Sequence, residues 1–585
     1  MISTTKIGTV RHVLGATITV ELERTLAGIA PIWEGRLQPV GQIGSIVRIP
    51  QGPMTLLGTV TMIGIAELAG PLAPSIESSV GDRWLRVQLV GEIDGIGNFQ
   101  RGVSTYPALD DLVHFATRAD LARVFPEEDE FHVRFGTVAA TADVPVALDA
   151  QRLVTRHAAI VGSTGAGKTS TVCSVLQSFI RGGWSSANII VIDPHGEYAD
   201  ALPDHASARS VLATDQEHRL QVPYWALPAA DLLKAVGGGN EGPTASLRFM
   251  ELVREQKKVF AAAAQWLAHL DPSSISADTP VPFDLRDVWF QMEKDNRATY
   301  GAKDYVNESI RVAGDKLALV PPEYDPPGAG SAPPFRGPRM DHFANLPERM
   351  RMRMRDPRLR FFFDFDSLAP DHDVLESVLR SWLGGETAIS VMDFSGVPGD
   401  VADLAIGAVL QNVFETAVRS REHGIGRASP VFIVLEEAHR YLGDGDQVRL
   451  AREVANRIAR EGRKYGIGLL LVSQRPSELP PTALSQVGTI IALRLTNGTD
   501  QATVKSALPD GVAGLADALP SLRNGEAIVS GEAVSMPARA IADVPSPRPN
   551  AKDPALAPWR HAPPKELALD QALRIWRGIP EEVAP

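Results

Sequence analysis

Gly162-Ser163-Thr164-Gly165-Ala166-Gly167-Lys168-Thr169 is the stretch that decides how this chain is read. It fits the spacing G-x-x-x-x-G-K-[ST] of a phosphate-binding loop. Glycines at these positions let backbone N–H groups turn inward around a polyphosphate. Lys168 can then reach the β- and γ-phosphates, and Thr169 can offer its hydroxyl to Mg²⁺. The flanks suit the motif. His157 to Val161 reads as a short buried strand and Ser170 to Phe179 as a helix, whose N-terminus favours anionic oxygens. Gly162 through Ser170 are the expected nucleotide-binding residues, with ATP and Mg²⁺ as ligands.

A second segment supplies the acids such a loop needs. Val431 to Leu435 is a buried-strand pattern that runs into Glu436 and Glu437. One acid at such a strand end can hold Mg²⁺ through a water, and the other can polarise the attacking water. Glu436 is assigned to Mg²⁺ and Glu437 to the water. Aspartate is commoner at the first position, but the longer glutamate still permits an outer-shell contact. Gly468 to Ser473 is another buried strand, and Gln474 at its end can sense a γ-phosphate by hydrogen bonding. Asn188 to Ile192 is a further strand, ending in Asp193-Pro194-His195-Gly196-Glu197-Tyr198. Polar residues there face the ligand crevice of an α/β sheet. His195 reads equally as a site residue or as a turn histidine. Arg156, just ahead of the first core strand, is either a surface charge or an arginine aimed at a nucleotide, its own or a neighbour's.

Around these segments the chain divides by composition. Residues 1–140 hold short β-branched runs punctuated by Gly and Pro, which suggests a small barrel, read as an assembly scaffold. Residues 141–205 and 386–545 alternate buried strands with helices and form the α/β core. Residues 206–385 are a mainly helical insertion, with Pro321 to Pro338 as a mobile loop. Residues 546–585 are a proline-rich tail with a short helix, Lys565 to Trp576, that docks on a neighbour or on its own subunit. In the insertion, Arg349 to Arg355 alternates Arg with Met. It serves either as a DNA contact or as a solvated helix paired with acids.

Bulk properties narrow the class. The chain has 585 residues and a net charge of −12, which argues against a simple basic DNA coat. Cys173 is the one cysteine, so no intrachain disulfide forms, which suits a reducing cytoplasm. It falls on an apolar helix and reads as a packed thiol. No apolar run of membrane-spanning length is evident, and Met1 to Ile7 lacks the apolar core of a signal peptide.

Taken together, these residues resemble the HerA family of hexameric DNA translocases, within the HerA–FtsK group of ATPases. The resemblance is carried by Arg156-His157 ahead of the glycine loop, Asp193 to Tyr198, Leu435 to His439, Glu461 to Gly466, Ser473 to Pro476 and, in the barrel, Arg101 to Pro107. It implies a RecA-like P-loop core, a HerA-type assembly barrel and a homo-hexamer with nucleotide at the subunit interfaces. Arg463, or Arg460 in second place, would be the finger donated to a neighbour's γ-phosphate, and Arg156 a further arginine near the site. Double-stranded DNA would pass through the pore, held by sequence-independent backbone contacts. A partner is implied as well: a NurA-like nuclease, or an antiphage effector such as a sirtuin-type NADase or a nuclease, docked on the barrel. Alternatively the ring is chiefly a scaffold that regulates its effector with little DNA movement. A protein-unfolding or secretion ATPase fits less well, since a secretion motor usually needs a membrane tether.

Overall fold

The computed structural model describes residues 5–23, 32–33, 36–37, 42–65, 83–213, 215, 217–239, 241–363, 368, 370–383, 387–420, 424–443, 450–509, 512, 514–550, 560 and 569–577. They fall into two compact units, 1–210 with 379–549, and 211–378 with 550–585.

Beside a short ribbon of Ile32–Trp33 with Arg36–Leu37, two large sheets dominate the first unit. The N-terminal one is antiparallel and runs in the order Thr17–Leu22, Lys6–Leu14, Leu112–Phe115, Ile46–Gln51, Met54–Ile65, Arg83–Ile93, Phe99–Arg101. Thr17–Leu22 also pairs with Arg83–Ile93, which closes it into a barrel. Alternate residues point inward in Thr17–Leu22 and its neighbours, with register shifts in Lys6–Leu14, so Ile7, Val10, Ile18, Val20, Val47, Ile49, Leu85, Val87 and Val113 form a core of their own.

The second sheet has eleven strands, in the order Thr141–Asp149, His132–Val138, Ala538–Ala542, Glu526–Gly531, Thr489–Leu493, Ala158–Val161, Ile467–Ser473, Val431–Leu435, Asn188–Asp193, Ile389–Asp393, Ala206–Ser210. From Thr489–Leu493 to Ala206–Ser210 all neighbours are parallel. The inner strands are buried on both faces, hence their unbroken runs of Val, Ile and Leu. This is an α/β core with a parallel centre and an antiparallel flank. The hairpin at 132–149 straddles the boundary expected at 140 and joins the large sheet rather than the barrel, because His132–Val138 finds a partner strand in Ala538–Ala542.

The helix Gly399–Ser420 departs from expectation. Its Val401–Ser420 segment is long and apolar enough to cross a membrane by length and composition, where no such run was expected. In the fold 72% of that apolar window is buried inside the protein, as in a core helix.

The second unit packs the helices Ala229–Gly237, Pro243–Ala263, Leu285–Arg297 and Leu346–Arg355. The Arg–Met alternation lies on the last of these. Arg351 pairs with Glu348, Arg349 with Glu241, and Arg355 donates to the Ala318 and Leu319 carbonyls. The Pro-rich stretch 321–338 is not loop throughout: Glu323–Tyr324 and Phe335–Arg336 each join a short antiparallel ribbon. Of the expected C-terminal helix, Leu569–Trp576 is helical, while residues 565–568 lie outside the described residues.

Candidate active site

The glycine loop leaves the carboxyl end of Ala158–Val161, between two parallel neighbours. Gly165 and Gly167 sit at φ +73° and +102°, a region closed to most side chains. At Gly162 an added Cβ would lie 2.9 Å from Leu493 Cβ. The helix Lys168–Arg181 begins at Gly167 with no side chain capping its first N–H groups. Those donors are left for an anion. The loop is anchored from outside: Gly162 donates to the Ser473 carbonyl (3.2 Å), Ser163 to that of Arg494 (2.8 Å), and Gly525 donates to the Ala166 carbonyl (3.0 Å).

The acids arrive at the same end of the sheet. Val431–Leu435 lies one strand beyond Ile467–Ser473, so Glu436 and Glu437 follow a strand pointing the same way as Ala158–Val161. Asn188–Asp193 delivers the turn that ties the two segments together. The Thr169 hydroxyl donates to Glu197 (3.0 Å), and the next residue, Tyr198, donates its hydroxyl to Glu436. Asp193, fully buried, accepts from the backbone N–H groups of His195, Gly196 and Tyr198 and so sets the shape of the turn. Gln474 meets the loop directly, with its side-chain oxygen 2.7 Å from the Thr164 hydroxyl. Lys168 is 7% exposed and makes no ion pair among the described residues.

Glu437 is held at φ +48°, a left-handed conformation that costs a glutamate on the order of 1 kcal/mol. Its Oε2 is buried and accepts no hydrogen bond. His439 Nδ1 lies 3.2 Å from that oxygen, close enough for an ion pair but off a hydrogen-bonding line. The same nitrogen is 3.3 Å from the Ser473 hydroxyl.

Burial pushes the Glu436 carboxyl up to about 8; Glu437 and Glu197 add to this, and the Tyr198 hydrogen bond and Lys168 oppose it. The folded value is thus above the ordinary 4.5, and the unfolded chain gives up this proton first. As pH rises from about 4.5 to about 8, stability from this group falls. Glu436→Gln, neutral throughout, is expected to raise the melting temperature of nucleotide-free protein at pH 8 relative to wild type and to change it little near pH 4.5. Thermal unfolding at both pH values tests this, and an equal shift at both would refute it.

Several site residues are not obvious from local pattern. Glu197, Tyr198 and His439 were legible only as members of polar clusters at strand ends. The basic residues fall elsewhere. Arg156, Arg460 and Arg463 all lie near the amino ends of Ala158–Val161 and Ile467–Ser473. Seven residues of strand span about 20 Å, so Arg463 does not reach its own subunit's glycine loop. The Arg156 guanidinium pairs with Glu532 at 3.2 Å. Arg463 is exposed, and Arg460, also exposed, donates to the Asn456 carbonyl of its own helix. His195 is exposed in its turn, and Cys173 is fully buried, with burial pushing its thiol well up.

Two family models match the chain in tandem, Helicase HerA, central domain, over residues 133–413 and Helicase HerA-like C-terminal over 409–546. The chain belongs to the HerA family. Among HerA relatives, the DNA double-strand break repair helicase HerA of Pyrococcus furiosus is 24% identical over 490 residues, 77% of this chain and 76% of that one. The protein of the same name from Sulfolobus acidocaldarius is 26% identical over 488 residues, 82% of each. Among solved structures, VirB4 of Thermoanaerobacter pseudethanolicus is similar at 14% identity and a TM-score of 0.44, over 72% of this chain and 98% of that one. In this HerA chain the 133–546 span covers the glycine loop, the Asp193–Tyr198 turn and the Glu436–Glu437 pair, and leaves the barrel outside both models.

Proposed function

We propose that the chain is an Mg²⁺-dependent ATPase that assembles as a six-membered ring and moves along double-stranded DNA. It works with a nuclease or antiphage effector docked on its barrel. The observation that carries this reading is the meeting of the glycine loop with the acids through Thr169, Glu197, Tyr198 and Glu436. The names of the relatives, DNA double-strand break repair helicases, support DNA as the track.

The residues suit a magnesium nucleotide. Among the described residues no group of three or more His, Cys, Asp or Glu could hold a metal by itself. Mg²⁺ bound through substrate phosphates asks for less, one or two hard protein oxygens with waters completing the shell. The Thr169 hydroxyl would hold it directly and Glu436, giving up its proton in the cation's field, through a water. Bound there, it neutralises charge on the β- and γ-phosphate oxygens.

The chain's own residues do the rest. The N–H groups of Gly165 and of Gly167 to Ser170, with the Lys168 ammonium, hold the phosphates, while those of Gly162, Ser163 and Ala166 anchor the loop. The free Glu437 oxygen accepts a proton from the attacking water and aligns it. Gln474, held by Thr164, reports the γ-phosphate. A neighbour's Arg463, with Arg460 as the alternative and Arg156 nearby, completes the charge stabilisation.

Arg463→Ala is expected to lower kcat by about 10³-fold at unchanged ATP affinity. Steady-state turnover and nucleotide titration check this, and a loss under tenfold would remove Arg463 from the role. For the motor itself, purified protein should displace a triplex-forming strand from double-stranded DNA only with hydrolysable ATP. ATPase activity indifferent to DNA, with no displacement, would favour a scaffold instead.

A further inference from the structure

His157 is placed where a packing residue is not needed and a hinge pin is. It sits at φ +55°, is 5% exposed, and directly precedes the strand that feeds the glycine loop. Its Nδ1 accepts the Leu469 N–H at 3.0 Å, inside the adjoining strand Ile467–Ser473. The Ala459 carbonyl, in the last turn of the helix Leu450–Glu461, acts on the ring and favours its protonated form against the effect of burial. A methyl placed on Gly462 would come 3.5 Å from the ring's Cε1 and 2.6 Å from the Ile467 carbonyl oxygen. The imidazole therefore fills the inside of the corner 459–467, from the helix end through Gly462–Tyr465 to the strand start. Arg460 and Arg463 stand on that corner. The His157 backbone is itself pinned, since its carbonyl and that of Arg156 both accept the Gly488 N–H.

One ring thus joins the strand that carries a subunit's own phosphate loop to the corner that carries its exposed arginines. With Nδ1 accepting from Leu469, the neutral ring carries its proton on Nε2, and burial depresses the ring's basicity to about 4. The bridge keeps its form across the neutral range.

We propose that His157 is a positioning residue that sets the corner 459–467, and with it the arginine offered to the neighbouring subunit's γ-phosphate. This rests on the trans-arginine reading above. It goes further in naming the part of the same subunit that aims the arginine.

Asparagine is the informative replacement. It tolerates a left-handed backbone, and its side-chain oxygen can still accept from Leu469, but it is too short to reach Ala459. His157→Asn is expected to lower kcat by about 10²-fold, as misplacement of a catalytic group does. ATP affinity at its own loop should stay within about twofold, because the loop's own anchors are untouched. The decisive measurement mixes two weak variants before ring assembly. His157→Asn subunits have a sound loop and a misaimed arginine; Lys168→Ala subunits have a dead loop and a sound arginine. If His157 acts across the interface, random mixed rings recover activity at up to about a quarter of their interfaces. Arg463→Ala mixed with Lys168→Ala is the companion. Recovery in both mixtures supports the proposal. Recovery with Arg463→Ala alone means that His157 serves its own loop, and overturns it. Recovery in neither shows that the trans-arginine reading has failed, and the proposal with it. Gly462→Ala, which disturbs the same corner chiefly by crowding the Ile467 carbonyl and leaves the imidazole's bond to Leu469 in place, gives a second route should His157→Asn not fold, and the same pattern is expected of it.

Discussion

Glu437→Gln is expected to lower ATP turnover by about 10³-fold while ATP stays bound, since general-base contributions of this kind are worth about 10²–10⁴. The amide keeps the carboxylate's shape but cannot take a proton from water. Its environment makes the change informative. The native Oε2 is buried without a hydrogen bond, a cost of about 1–3 kcal/mol, and the backbone is held in a left-handed turn. A residue kept this way against local stability is poised for something that arrives from outside. The amide is neutral and isosteric, and its nitrogen can donate to His439 Nδ1, which stands 3.2 Å from the oxygen it replaces, so the nucleotide-free variant should melt no lower than wild type. Phosphate release under steady state and retention of labelled ATP on the isolated protein are the two measurements. Turnover within tenfold of wild type would take the water-polarising role away from Glu437.

Lys168→Ala should be as damaging to turnover, by about 10³-fold, and should differ in weakening nucleotide binding as well. The ammonium is almost wholly enclosed and makes no ion pair among the described residues. Removing it therefore forfeits little within the protein and much toward a triphosphate. The contrast between the two variants separates holding from hydrolysis: one binds and stalls, the other does neither. Native turnover by Lys168→Ala would refute the loop as the phosphate site, whatever Glu437 does.

Much of the architecture was legible in local pattern. The barrel strands announce themselves by alternation, as in Thr17–Leu22, where every second residue is buried. The core strands announce themselves by unbroken apolar runs, as in Val431–Leu435. The glycine spacing at 162–167 marks the loop because two of its positions need backbone angles few other residues adopt. The strict arginine–methionine alternation has the period of a strand, yet the stretch is helical. Burial of Leu346, Pro347, Met350 and Met354 along one side of the helix accounts for this. The hairpin 132–149 was harder, because which sheet a strand joins depends on a partner some 400 residues away.

By itself the sequence determined the kinds of element and the chemistry each could carry: a phosphate loop between strand and helix, and a pair of acids at a strand end. Those follow from the backbone preferences and polarity of neighbouring residues. Only the tertiary structure decided that Thr169 meets Glu197, that Thr164 meets Gln474, and that Arg156 and Arg463 lie at the opposite end of the sheet from the loop. Strand order and direction settle such meetings. They arise from hydrogen bonding between segments hundreds of residues apart, which no local window of residues contains.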